Sequence, residues 1–87
     1  MSLSQIFNAL SDKNRQKIIQ ILKKSELSVT DIAKHLDITL ATLSHHLDVL
    51  KKTGLISSRK QGRNIYYSLN LSVSEELIIE ITKLIKK

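Results

Sequence analysis

Apolar side chains recur at helical spacing through the first half of the chain. Four such stretches predict four helices, over residues 3–10, 11–24, 28–37 and 39–52. The last three begin at residues whose side chains accept hydrogen bonds from backbone amides, so we expect Ser11, Ser28 and Thr39 to be N-caps. Gly54 is typical of the position just after a helix, because glycine adopts the left-handed conformation at no steric cost.

The pattern changes after this glycine, where residues that favour strands begin to alternate. Residues 55–69 predict a β-hairpin, and Gln61-Gly62 can supply its two-residue turn. Helical spacing returns over residues 74–87 and predicts a last helix. The expected fold class is therefore mainly α with a β-hairpin (α+β), in the element order α-α-α-α-β-β-α.

The third and fourth predicted helices have the apolar skeleton of a helix-turn-helix spanning about residues 28–53. Its members are Ile32, Ala33, Leu36, Ile38, Leu43 and Leu47. An ordinary small helical core would use the same residues, but the basic hairpin that follows, at about residues 55–70, favours the first interpretation. A helix followed at once by such a wing indicates a winged helix-turn-helix, in which the helix enters the major groove of DNA and the wing reaches its backbone or minor groove.

Charge and composition narrow the class of partner. The 87 residues suffice for one domain, over residues 1–87, and carry a formal net charge of +6. No acidic residue lies between Asp48 and Glu75. This interval holds five basic residues, namely Lys51, Lys52, Arg59, Lys60 and Arg63. One side of the molecule is therefore expected to attract a polyanion, and double-stranded DNA is the partner that suits this fold.

Other features of the composition exclude several classes of protein. The chain has no cysteine, which argues against disulfides and thiolate metal sites. Its longest aliphatic run, Leu77-Ile78-Ile79, is far shorter than the roughly 20 residues needed to cross a bilayer. The chain has no phosphate-binding loop, metalloprotease motif or nucleophile elbow. We therefore expect a cytoplasmic protein that does not insert into membranes and is not an enzyme.

Short segments spread over nearly the whole chain form a known pattern. They are Leu10-Ser11-Asp12, Leu43-Ser44-His45-His46-Leu47, Gly54-Leu55-Ile56, Gly62-Arg63 and Tyr66-Tyr67-Ser68-Leu69. Together they resemble the ArsR/SmtB family of winged helix-turn-helix transcription regulators, and the length of the chain is similar to that of the small autorepressors in this family. The resemblance implies a homodimer that binds a pseudo-palindromic operator. Because so small a protein has no spare domain to recruit polymerase, we expect it to repress by blocking a promoter.

The resemblance also implies contacts between the fourth helix and DNA. Carried over position by position, they fall on Leu40, Ala41, Ser44 and His45. A helical wheel independently places Ala41, Ser44 and His45 opposite the apolar face, whereas Leu40 could equally belong to the core. His46 lies closer to the core face, and both a packing role and a contact role remain open for it.

The wing supplies the second group of candidate DNA contacts. Arg59, Lys60, Arg63 and Asn64 surround the hairpin turn and are predicted to contact phosphates or the minor groove. The alternative interpretation is a solvated loop. The two ends of the chain, over residues 3–10 and 74–87, carry more apolar surface than one small core absorbs, and this predicts a dimer interface. Its expected members are Leu3, Ile6, Phe7, Leu77, Ile78, Ile81, Leu84 and Ile85.

Metal sensing, which is common in the ArsR/SmtB family, is not expected here. Ser28 and Thr30 stand where the family's thiolate ligands would be, and the predicted last helix has no histidine. We therefore predict no metal site and no cofactor. Two other functions stay open, a winged-helix module that binds an acidic protein and a sensor of a metal or small molecule. Release from DNA by an anti-repressor protein is a further hypothesis.

Overall fold

The computed structural model describes residues 3–70, and the predicted last helix, over residues 74–87, lies outside this range. The helices are α1 (Leu3–Leu10), α2 (Lys13–Leu22), α3 (Val29–Ala33) and α4 (Leu40–Lys52). The strands are β1 (Leu27–Ser28), β2 (Ile56–Gln61) and β3 (Asn64–Leu69). Four helices followed by a hairpin confirm the predicted fold class, and β1 is an additional element that the sequence pattern did not predict.

Side-chain caps fix where the helices begin. The Ser28 and Thr39 hydroxyls accept hydrogen bonds from the third residue of α3 and of α4, as predicted. The prediction for α2 was wrong, because its N-cap is Asp12, whose carboxylate accepts from the Arg15 amide at 3.0 Å. The Ser11 hydroxyl instead donates to the Asn8 carbonyl at the end of α1, at 2.6 Å. A carboxylate also complements the positive end of the helix dipole, which favours Asp12 in this position.

The two helices of the helix-turn-helix end differently. Helix α4 ends as predicted, with Gly54 in the left-handed conformation at φ 80°. Helix α3 is shorter than predicted and ends at Ala33 instead of near Asp37. Three successive amides after it bond to the carbonyl three residues back, so the chain continues in tighter turns rather than as α-helix.

The wing is an antiparallel hairpin with a third, very short strand beside it. Strands β2 and β3 pair from Ile56↔Leu69 to Gln61↔Asn64, so the turn residues are Gly62-Arg63, one position later than predicted. Gly62 has a φ of 62° at the first central position, where a type II′ turn needs a positive value. Strand β1 pairs with the other side of β3 and gives the sheet order β1-β3-β2. A strand of two residues is too short to show alternation in the sequence.

The core lies where the sheet and the four helices α1 to α4 meet. The largest fully buried side chains are Ile18, Ile32, Leu43, Leu47, Leu50 and Ile56. Three of them share one face of α4, so burial of this face presents the opposite face to solvent. Among the helices within residues 3–70, none is long and apolar enough to span a membrane.

Candidate nucleic-acid interface

The outward face of α4 carries all four residues that were predicted to contact DNA. Ala41, Ser44 and His45 are exposed. Leu40 is also exposed, by 64%, so the alternative that placed it in the core is excluded. The first half of α4 thus offers two apolar and two polar side chains to a partner. This mixture can read methyl groups and hydrogen-bonding atoms on the edges of bases.

His46 lies on the other side of the helix and is only 6% exposed. Its Nδ1 atom lies 3.3 Å from Nη1 of Arg15, and its Nε2 atom lies 3.8 Å from Oδ1 of Asp12. Because a guanidinium group only donates, Nδ1 is the acceptor in this contact. His46 is therefore a packing residue that joins α4 to the start of α2.

Arg15 extends this connection to α1. Its Nε atom donates to the Ala9 carbonyl at 2.7 Å, and its Nη2 atom donates to the Asn8 carbonyl at 3.3 Å. The hydrogen bond from the Arg15 amide is the main cause that lowers the pKa of Asp12, and the nearby His46 ring adds to it against the opposing effect of burial. The carboxylate is thus ionised at neutral pH. The cluster holds α4 in a fixed orientation relative to α1 and α2.

An open groove of about 340 Å³ separates α4 from the wing. Ser44 and Asp48 of α4 line one side, and Arg63 and Asn64 of the wing line the other. Residues at the start of α3, including Thr30, also line it. The structure therefore brings Ser44 together with two of the predicted wing residues on one continuous surface.

Asp48 and Thr30 line this groove but were not among the predicted site residues. Asp48 follows Ser44 by four residues and so lies on the same face of the helix, which is the signal in the sequence that could have found it. Burial, and secondly the charge of Asp48, raise the pKa of the Tyr67 hydroxyl in the same groove above its usual value. Asp48 thus adds a negative charge to a basic surface, and a carboxylate in this position can accept a hydrogen bond from a cytosine amino group.

The four predicted wing residues are all exposed but are not equivalent. Within residues 3–70, the side chains of Lys60 and Arg63 have no ion-pair partner. Arg59, in contrast, forms a two-pronged ion pair with Glu26, with N–O distances of 2.6 and 3.0 Å. This hydrogen bonding lowers the pKa of the Glu26 carboxyl and raises that of Arg59. Two cations of the wing are thus available for phosphates, and one is already engaged.

The predicted dimer residues of α1 also differ from one another. Phe7 is 46% exposed, Leu3 is half-buried, and Ile6 is 8% exposed and packs into the core of its own chain. Of these three, Phe7 offers the most apolar surface to a second copy. The other predicted members, Leu77, Ile78, Ile81, Leu84 and Ile85, lie outside the described residues.

Residues 3–70 contain no group of three or more histidine, aspartate or glutamate side chains placed to hold a metal ion. The one His–His neighbour pair, His45 and His46, has ring centroids 5.9 Å apart with the rings tilted by 50°. His45 faces solvent and His46 faces the core, so the two rings do not converge on one ion.

Comparison with known proteins identifies the family. The sequence signature described as "Bacterial regulatory protein, arsR family" matches residues 12–58, which is more than half of the chain. The chain belongs to the arsR family of bacterial regulatory proteins. The matched segment of this arsR-family chain begins at the Asp12 cap, contains the whole helix-turn-helix and ends within β2.

Individual relatives match over most of the arsR-family chain. It is 39% identical over 85 residues to "Transcriptional repressor SdpR" of Bacillus subtilis (strain 168), an alignment that covers 98% of this chain and 94% of that protein. It is 40% identical over 79 residues to a "Cadmium resistance transcriptional regulatory protein CadC homolog" of Staphylococcus aureus, covering 90% of this chain and 65% of that one. The solved structure of an ArsR-like transcriptional regulator from Rhodococcus sp. RHA1 superposes with a TM-score of 0.85 at 28% identity, covering 94% of this chain and 77% of that one.

Proposed function

We propose that this arsR-family protein is a sequence-specific DNA-binding transcriptional repressor. One observation carries the proposal, the groove that Ser44 of α4 and Arg63 and Asn64 of the wing line from opposite sides. A reading helix and a cationic hairpin that face each other can contact adjacent parts of one duplex. The net charge of +6 supports a polyanionic partner, and the relative from B. subtilis is itself named a transcriptional repressor.

In this proposal, α4 reads base edges in the major groove. Ser44 and His45 can donate or accept hydrogen bonds there, whereas Leu40 and Ala41 can pack against the 5-methyl group of thymine. All four side chains are exposed, so binding requires no rearrangement of the helix. The buried contacts of His46 keep the helix in place while its outer face binds.

The wing would contact the sugar–phosphate backbone or the minor groove through Lys60, Arg63 and Asn64. These side chains are exposed, and the two cations have no ion-pair partner within residues 3–70. Each phosphate that a cation neutralises contributes about 0.9 to the slope of log affinity against log salt concentration. Wing contacts would therefore act on affinity and its salt dependence more than on sequence preference.

We further propose that the protein acts as a homodimer. Phe7 exposes a large apolar surface on α1, and the residues predicted for the other half of the interface follow the described range. A two-fold dimer would place two copies of α4 about one helical turn of DNA apart, near 34 Å, and so match a pseudo-palindromic operator. Occupation of such a site within a promoter would exclude RNA polymerase.

Fluorescence anisotropy tests the DNA-binding proposal directly. The protein is titrated into labelled duplex from its own upstream region and into an unrelated duplex, at several salt concentrations. We expect tighter binding to the upstream duplex, a loss of this preference in His45→Ala, and a salt slope smaller by about 0.9 per protomer in Arg63→Gln. Lys17→Gln removes the same charge from an exposed position on α2 and serves as the matched control.

Two results would contradict the proposal. Equal affinity for both duplexes would leave only a general polyanion-binding surface. Failure to bind either duplex, together with capture of an acidic protein by the same face, would favour the protein-interaction module instead.

A further inference from the structure

The outer face of the sheet carries a row of contacts that the proposed DNA interface does not use. Arg59 on β2 lies opposite Tyr66 on β3, and Tyr66 in turn lies opposite Ser28 on β1. The Arg59 guanidinium carbon lies 4.9 Å from the centroid of the Tyr66 ring, and the group then reaches Glu26, two residues before Ser28. One arginine side chain thus crosses the middle strand and joins the two outer parts of the sheet.

The hydrogen bonds of Arg59 occupy all three of its guanidinium nitrogens. Nε and Nη2 donate to the two carboxylate oxygens of Glu26 at 3.0 and 2.6 Å, and Nη1 donates to Oε1 of Gln61 at 2.6 Å. A planar fork bound at both prongs and resting on an aromatic ring has a defined orientation, unlike a lone surface cation. Two-pronged binding of a phosphate through Nε and Nη2 would require the bonds to Glu26 to break.

Glu26 lies just before the helix-turn-helix, so its ion pair with Arg59 affects how the wing is held relative to that unit. Glu26 is followed directly by β1, and the last residue of β1, Ser28, caps α3, the first helix of the helix-turn-helix. Arg59 lies in the wing, three residues before Gly62. The ion pair therefore joins the wing to the segment that leads into the helix-turn-helix.

We propose that Arg59 is a positioning residue that holds the wing at a fixed angle to the helix-turn-helix through Glu26, and that it does not contact DNA. This inference rests on the proposed function and assigns the phosphate contacts of the wing to Lys60 and Arg63. It replaces the expectation that Arg59 itself binds the backbone. The wing is thereby preorganised, so less conformational freedom is lost on binding.

Salt dependence distinguishes positioning from contact. Arg59→Gln should weaken binding several-fold at every salt concentration while its salt slope stays equal to that of the wild type. Arg63→Gln, the comparison variant, should lower the slope by about 0.9 per protomer. A slope change in Arg59→Gln as large as that in Arg63→Gln would overturn the proposal.

Substitution of Glu26 gives a second test, because positioning and competition predict opposite changes in DNA affinity. If Glu26 positions the wing through Arg59, Glu26→Gln weakens specific binding, and the double variant Glu26→Gln/Arg59→Gln is no weaker than Arg59→Gln alone. The double variant has the same net charge as the wild type, so a change in net charge cannot explain its weaker binding. If Glu26 merely competes with a phosphate for Arg59, Glu26→Gln binds DNA more tightly and with a steeper salt slope, and the proposal fails.

A measurement without DNA separates this inference from the proposed function. Backbone order parameters from NMR relaxation should fall at wing residues 60–65 in both Arg59→Gln and Glu26→Gln, and stay unchanged in Arg63→Gln. Well-dispersed spectra would show that the variants fold, as expected for a side chain that is 52% exposed. If the wild type bound no DNA, the order parameters would still decide whether the Arg59–Glu26 ion pair holds the wing. Unchanged order parameters of the wing in both variants would overturn the proposal that Arg59 positions it.

Discussion

Leu40 occupies the first position of α4 with 64% of its surface exposed, and Ala41 is exposed beside it. Apolar carbon in this position loses contact with water when the helix enters a groove, and this transfer is favourable. The matching apolar group in the major groove is the 5-methyl group of thymine. At the scale of single residues, the start of α4 thus indicates an operator with thymine at the positions it meets.

Replacement of single operator thymines by deoxyuridine tests this prediction, because uracil lacks the methyl group but keeps every hydrogen-bonding atom. We expect binding to weaken by about 0.8 kcal/mol, or roughly fourfold, at the thymine that Leu40 contacts. Leu40→Gln should bind the thymine and deoxyuridine duplexes with equal affinity. Wild-type protein that is indifferent to deoxyuridine at every position would contradict the prediction.

Sequence alone could predict part of this site. Helical periodicity places Ala41, Ser44 and His45 outside, because the opposite side of the same helix carries regularly spaced leucines. It could not decide the environment of Leu40, which lies at a helix end where few neighbours constrain it. The ion pair of Arg59 with Glu26 also could not be predicted, because the two residues lie 33 positions apart in the sequence and only the folded sheet brings them together.

At the scale of the elements, α4 depends on its N-terminal cap. The Thr39 hydroxyl accepts a hydrogen bond from the Thr42 amide at 3.1 Å and so satisfies a donor that the helix leaves unpaired. The Thr42 hydroxyl lies 2.9 Å from that of Thr39 but caps nothing itself. The two threonines are thus close in space and different in role.

We predict that Thr39→Ala lowers the free energy of unfolding by about 1 kcal/mol, because it removes the cap. Thr42→Ala is the matched control, since it removes the same hydroxyl and methyl groups but leaves its own amide capped. Urea denaturation followed by circular dichroism measures both variants. Equal losses of stability in the two variants would show that the cap has no special role.

The elements themselves were largely predictable. The four helices and the hairpin follow from regular spacing over eight or more residues or from a glycine turn, with α3 as the exception in length. Strand β1 could not be predicted, because its two residues pair only where the fold brings them beside β3. The hairpin turn was predicted one residue early, since glycine can adopt a positive φ at either central position of a tight turn and the sequence does not choose between them.

At the scale of the whole molecule, the apolar surface of α1 would link the proposed dimer to DNA binding. Phe7 is 46% exposed on a helix whose other face packs into the core. Aromatic side chains are enriched at protein–protein interfaces. Pairing of the chains would let two α4 helices occupy both halves of a palindrome in one binding event.

We predict that Phe7→Glu converts a dimer into a monomer and greatly weakens operator binding, because it introduces a charge into the apolar interface. Gln20→Glu introduces the same charge at an exposed position of α2 and should change neither property. Sedimentation velocity at micromolar concentration measures the assembly state, and anisotropy measures binding. A wild-type protein that is already monomeric would contradict the prediction.

Ser28 belongs to two elements at once, as the last residue of β1 and as the cap of α3. Its backbone pairs with Tyr66 of β3, while its hydroxyl secures the first turn of the helix. Loss of either set of bonds would therefore release the other, so the hairpin and the helix-turn-helix should open together as one cooperative unit. The wing would then resist thermal opening as strongly as α3 and α4 do.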